Sequence, residues 1–169
     1  EINLGRQQGM NPFGLFEKSR EVAAPDGLSS LSEVAGGRTV EGDEESYLVG
    51  ASDHDAASDR VLVVGADRGL RSASLTVARR AAAAAFVPDV GLVVVGGADG
   101  AVGVEVLVAG ENSATPLDLA SDPVEGATAV FGELDDQLIL VCGHTPAGDP
   151  APVRSLDLRC STSCVPTEL

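Results

Sequence analysis

The stretch GLVVVGGADGAVGVEVLV, residues 91–108, decides the fold. Leu92 to Val95 is an apolar run that closes on the glycine pair Gly96–Gly97. Beyond the polar turn Gly97–Ala98–Asp99–Gly100, Val102, Val104, Val106 and Val108 alternate with Gly103, Glu105 and Leu107. A period of two is the mark of a strand with its side chains divided between two faces, and a short glycine-rich turn between two such runs makes a β-hairpin. Residues 91–108 therefore read as two antiparallel strands.

Working outward, the same signals recur. Tyr47–Leu48–Val49–Gly50–Ala51, Val93–Val94–Val95–Gly96–Gly97 and Ile139–Leu140–Val141–Cys142–Gly143 are spaced at 46 residues, which puts Val49, Val95 and Val141 in one phase. These three valines are expected at equivalent buried positions. A second strand follows each run, at Arg60–Gly65, Val102–Val108 and Val153–Leu158, and the short runs Thr115–Leu119 and Gly126–Phe131 are read as completing a four-stranded unit. Internal repeats of 40 to 50 residues built from four short strands are the signature of propeller blades.

The middle copy carries a family resemblance. Arg80 followed by the small-residue run Ala81–Ala85 and Phe86, then Asp89 to the di-glycine Gly96–Gly97, then Val104–Glu105–Val106–Leu107, resembles the kelch repeat. The resemblance implies an all-β, kelch-like β-propeller segment of about three four-stranded blades. The match covers Ser46 to Leu158 as two full units and a partial third, and Gly36–Gly37–Arg38 reads as the entry to the first. The usual kelch Tyr and Trp are replaced by aliphatics such as Leu107 and Leu117, and only the middle copy keeps both glycines, as in divergent bacterial kelch-like repeats.

A competing reading is a nucleotide-binding βαβ unit. Val61 to Val64, the turn Gly65–Gly69, a helix over Leu75–Phe86 and a strand at Leu92–Val95 resemble the start of a short-chain dehydrogenase, and Ala81–Ala85 has high helix propensity. In that case the chain would be an NAD(P)-binding Rossmann-type oxidoreductase. Against this, Arg71 stands where the third glycine is needed near the cofactor phosphates, and no Tyr-x-x-x-Lys pair exists because Tyr47 and Lys18 are the sole Tyr and Lys. The 46-residue phase has no explanation in a βαβ unit either, so the propeller is the preferred reading.

Composition narrows the function. A net charge of −15 without a basic cluster repels phosphate backbones and anionic bilayers, so neither nucleic acid nor membrane is an expected partner. The longest apolar run, Ala81–Val87, is far short of a bilayer span. Catalysis has no recognisable constellation: His54 and His144 lack a Ser or Cys partner, and one Tyr with two His cannot supply the copper site of galactose-oxidase-like kelch enzymes. Asp53 and Asp55 lie in an acidic run that lacks the turn glycine and terminal Glu of a calcium loop. No cofactor, catalytic residue or metal ligand is assigned. Cys160 and Cys164 are candidates for a local disulfide, with two free thiols the alternative; the bridge would fit an extracytoplasmic (periplasmic, secreted or cell-surface) location.

The chain divides into residues 1–30, an unassigned extension or cap, repeats over 31–158, and a cysteine-containing tail over 159–169. The expected function is a non-catalytic binding or structural module. Its candidate binding loops carry Asp53, His54, Asp55, Asp99, His144 and Asp149, because propellers bind through loops on one face. Three blades fall short of the four to eight that close a propeller, so a protein partner or the remainder of a longer parent chain is expected to complete it.

Overall fold

The computed structural model describes residues 25–28, 34, 37–50, 57–67, 69–97, 103–118, 124–132, 137–158 and 167–168. Among them the chain is all-β, with twelve strands in three four-stranded antiparallel sheets and no helix. The first sheet comprises β1 (Arg38–Glu41), β2 (Glu45–Val49), β3 (Ser58–Gly65) and β4 (Leu70–Arg79). The middle sheet comprises β5 (Ala83–Val87), β6 (Gly91–Val95), β7 (Val104–Leu107) and β8 (Thr115–Leu117). The third comprises β9 (Thr128–Gly132), β10 (Gln137–Val141), β11 (Arg154–Asp157) and β12 (Thr167–Glu168). In each sheet the strands lie in chain order, as a blade-like meander.

The second strands, β2, β6 and β10, follow one another at 46 residues at both ends, and β1, β5 and β9 start 45 residues apart. Backbone conformation repeats with the phase. Gly96 and Gly97 have φ of 64° and 110°, and Cys142 and Gly143, 46 residues later, have 61° and 105°. Gly91 has to be glycine: its φ is 121°, and a Cβ there would lie 2.4 Å from the Leu107 carbonyl oxygen.

Side chains alternate between two inter-sheet layers. Tyr47, Val49, Val61 and Val63 of the first sheet pack against Ala84, Leu92, Val94 and Leu107 of the middle one. The opposite face of the middle sheet, with Ala83, Ala85, Val93, Val95, Val104 and Val106, packs against Ala129, Leu138, Leu140 and Leu156 of the third. The middle sheet is thus covered on both faces, which is why β5, β6 and β7 are almost wholly apolar. Val49 and Val95 occupy the equivalent buried positions expected of them. Val141 lies in β10, with its side chain outside the described residues.

Two sequence expectations are corrected. Gly126–Phe131 is not the last strand of the middle unit; as β9 it pairs with β10 and opens the third sheet, while β5 supplies the middle sheet's first strand. Leu75–Phe86 is not a helix but spans the end of β4 and most of β5. The alanines of β5 pair with β6 through the backbone and point alternately into the layers shared with the third and the first sheet, and that pairing and packing override local helix propensity. The Gly65–Gly69 turn joins antiparallel strands, and Asp67 Oδ1 accepts the Gly69 N–H at 2.8 Å, which closes the turn where a dinucleotide fold would open its N–H groups to phosphate. The fourth strand of the third sheet, β12, comes from the segment that the sequence reading sets apart as a tail.

Candidate functional site

The first strands of the three sheets are neighbours: β1 contacts β5, and β5 contacts β9. Arg38 pairs with Val49, Ala83 with Val95 and Thr128 with Val141, so the first strands begin where the second strands end. Loops leaving β2, β6 and β10 emerge at this same end. Of the six loop candidates, His144 and Asp149 lie in the loop after β10. Asp53, His54, Asp55 and Asp99 lie outside the described residues, as do Cys160 and Cys164.

His144 and Asp149 are both described and both exposed. The backbone of His144 exchanges two hydrogen bonds with Glu125, its N–H donating at 2.9 Å and its carbonyl accepting at 3.0 Å. Asp149 accepts the Thr145 N–H at 2.8 Å through its backbone, which folds residues 145–149 into a compact turn. Among the described residues no group of three or more His, Cys, Asp or Glu side chains is placed to hold a metal.

At this end a cleft of about 260 Å³ opens between the first and middle sheets, lined by Gly37, Arg38, Val49, Gly50, Arg79 and Ala81 among others. Ala81 sits at its rim with φ of 52°, a left-handed conformation costly for a residue with a Cβ. Arg38 Nη1 donates to Thr128 Oγ1 at 3.1 Å, linking the start of β1 to the start of β9.

Arg79 is the buried arginine of the cleft wall, whereas the kelch resemblance pointed to its neighbour Arg80. Its Nη2 and Nε donate to Glu105 Oε1 at 2.8 and 3.0 Å, and its Nη1 donates to the Gly96 carbonyl at 2.6 Å. Thr76 donates its N–H and O–H to Glu105 Oε2 at 2.5 and 2.6 Å. Burial alone would raise the Glu105 carboxyl; the hydrogen bonds from Thr76 and the Arg79 guanidinium outweigh it and hold the group below the usual carboxylate range. Every polar atom of the pair is engaged in tying β4 to β6 and β7, so it is a structural clamp and leaves no charge for a ligand. Arg80, half-buried beside it, reaches Glu125 at 3.5 Å.

The far end of the sheets carries a second clamp. Arg71 binds both carboxylate oxygens of Glu45, at 3.0 and 2.8 Å, and also reaches the Glu111 carbonyl in the loop after β7. Tyr47 donates to Glu45 Oε2 at 3.1 Å, and its ring stacks on Phe86 with centroids 6.2 Å apart. Burial and the neighbouring Glu45 carboxylate push the Tyr47 phenol up to about 12. Glu45 itself is pushed up by burial and pulled further down by Arg71, Tyr47 and the Gly110 N–H, and stays below its ordinary value.

The remaining candidate surface is the outward face of the third sheet. The registers place Thr128, Val130, Ile139 and Ser155 on it, the positions that in the middle sheet are Ala83, Ala85, Val93 and Val106. Thr128 and Val130 are exposed, Ile139 is half-buried and Ser155 is buried, so the open part of this face is at β9. Val130 is 50% exposed, and Val153, just before β11, is 38% exposed. Neither side chain belongs to an apolar cluster described above. Sequence reasoning missed this face because periodicity says which residues share a face and not which face is last in the stack. No protein-family model and no curated protein sequence matches the chain.

Proposed function

We propose that this chain is a non-catalytic binding and assembly module built from kelch-like propeller blades and working outside the cytoplasm. The observation that carries the reading is the order of the sheets: three consecutive four-stranded meanders whose first strands lie side by side. Such an arrangement gathers the loops after β2, β6 and β10 at one end, where propellers engage their partners. The exposed turn around His144 and Asp149 belongs to that surface. The buried Arg79–Glu105 clamp ties strands together beneath the loops, and the half-buried Arg71–Glu45 clamp does so at the opposite end.

Photo-cross-linking in the host cell tests the reading. A photoreactive residue at position 149 should give discrete polypeptide adducts, whereas one at position 67, in the turn at the opposite end of the first sheet, should give few. Equal labelling from both positions, or adducts only from position 67, would overturn the assignment of the binding end.

A further inference from the structure

From the guanidinium of Arg38 and the cleft that it lines, we infer a binding site for a monocarboxylate on a short aliphatic stem, the carboxylate gripped by Arg38 and the stem lodged between the first and middle sheets. The inference stands on this geometry and goes beyond the propeller reading without requiring it.

Charge pairing singles Arg38 out. Of the six arginines among the described residues, Arg60, Arg71, Arg79, Arg80 and Arg154 each form an ion pair with an Asp or Glu. Arg38 meets a hydroxyl instead, its Nη1 donating to Thr128 Oγ1 at 3.1 Å, and has no acidic partner among the described residues. In a chain whose acidic residues outnumber its basic ones by 26 to 11, that breaks the pattern. Arg38 is also half-buried, so its charge has lost part of its hydration without gaining a counter-charge. A bound carboxylate would supply one.

The same hydrogen bond decides which edge of the guanidinium is left over. Arg38 and Thr128 begin β1 and β9, and Ala83, which begins β5 between them, has no side-chain acceptor to compete. With Nη1 held by Thr128, Nε and Nη2 remain, the two parallel donors that hold a carboxylate side-on. Anchoring at Thr128 restricts the arginine before a ligand arrives, which lowers the ordering cost of binding.

The cleft sets the rest of the ligand. Val49, Gly50, Ala81 and Ala82 give it aliphatic walls, and the other cation lining it, Arg79, is committed to Glu105 and the Gly96 carbonyl. Its volume of about 260 Å³ lies below the range of about 300–1,000 Å³ that takes drug-sized ligands, which suits an acid of a few carbons. The net charge of −15 opposes every anion at long range, and a dicarboxylate more than a monocarboxylate, but it is screened over about 8 Å at physiological ionic strength, so contact with Arg38 governs. A free aliphatic acid and the glutamate side chain of another polypeptide share this chemistry.

Sodium butyrate is the probe, titrated at constant ionic strength into the 169-residue chain while NMR follows the Arg38 side-chain N–H and the Ala82 amide. Both signals should shift saturably with about millimolar affinity, as expected of so small a ligand. Butyramide, which has the shape without the charge, should shift neither. Arg38→Gln should abolish the Ala82 response, and Arg38→Lys, which keeps the charge but not the paired donors, should weaken binding about tenfold. The amide spectrum of each variant shows whether the fold is kept, and the butyramide comparison on the unaltered chain decides the matter if a variant does not fold. N-acetyl-alanyl-glutamyl-alanine amide separates the sources: binding as tight as that of butyrate identifies a partner's glutamate, and its exclusion while butyrate binds identifies a free acid. No saturable response to butyrate, an equal response to butyramide, or a response that survives Arg38→Gln in a folded variant overturns the site.

Discussion

Arg79 and Glu105 occupy positions that other repeats fill differently, and the comparison shows what a buried ion pair does here. Val34 and Val124 lie 45 residues before and after Arg79, and both are buried. Glu105 pairs with Val94, and at the phase of Val94 in the first sheet Leu48 pairs with Leu62. In the first sheet, then, the two positions are Val34 and Leu62, packed together in an apolar cluster. Removing one partner of a buried pair strands the other charge at a cost of about 3–5 kcal/mol, whereas replacing both with well-packed apolar residues is often neutral or stabilising. Arg79→Val and Glu105→Leu are each expected to lose about 3–5 kcal/mol in urea unfolding, while the double variant ranges from no change to a gain of about 4 kcal/mol. A double variant as weak as either single one would show that the clamp is not interchangeable with the apolar pair. The pH dependence follows from the lowered Glu105 value. An unfolded chain binds the proton more readily, so the contribution is full above the ordinary carboxylate value of 4.5 and is lost as pH falls through the folded one. The Glu105→Leu variant should lack that part of the acid limb.

Among the elements, strand starts and ends obey the repeat more strictly than residue types do. Two residues before β9 stands Gly126 with φ of 67°, and two before β5 stands Ala81 with φ of 52°, 45 residues earlier. Cys142 similarly takes the conformation of Gly96. The left-handed region costs a non-glycine residue roughly 1–2 kcal/mol, and glycine's extra freedom in the unfolded chain returns about half of it. Ala81→Gly and Cys142→Gly should each therefore raise stability by up to about 1 kcal/mol, read as a higher urea midpoint with unchanged slope. A lower midpoint would mean that these Cβ atoms make contacts worth more than the strain. The second strands were legible in the sequence because glycine turns and valine runs mark them in exact phase. β4, read off LRSASLTVAR, was not, because its small and hydroxylated side chains give only a weak alternation. The Arg79 clamp was hidden for a different reason: Arg79 and Arg80 are indistinguishable until the end of β4 fixes which one points inward. The loop end followed from turn positions alone, since those loops are tied to the second strands.

For the whole molecule, coupling passes from sheet to sheet through two apolar layers, both of which include the middle sheet. Stability in such arrays is set by each unit and its nearest-neighbour interfaces. Val95, 2% exposed between the middle and third sheets, is a test of that coupling. Val95→Asp buries an unpaired charge and should cost about 4 kcal/mol or more. Tyr47 is the lone Tyr in a chain without Trp, and it packs between the first and middle sheets, so its fluorescence reports that layer. If the three sheets unfold as one unit, the Tyr47 transition moves with the circular dichroism transition in this variant. A Tyr47 midpoint left unshifted would mean that the layer between the first and middle sheets comes apart independently of the layer between the middle and third.

The middle sheet, covered on both faces, also constrains synthesis. Its strands leave the ribosome before the third sheet exists, so Ala83, Ala85, Val93, Val95, Val104 and Val106 have no cover until roughly 46 more residues have been made. At about 5–20 residues per second that interval is on the order of 2–9 s, far longer than collapse or hairpin formation requires. Throughout it the nascent chain displays a valine- and alanine-rich sheet face to the surrounding solution. Translation speed across residues 118–158 therefore sets how long this surface needs a chaperone, and slow codons there would lower the yield of folded protein without changing one residue of it.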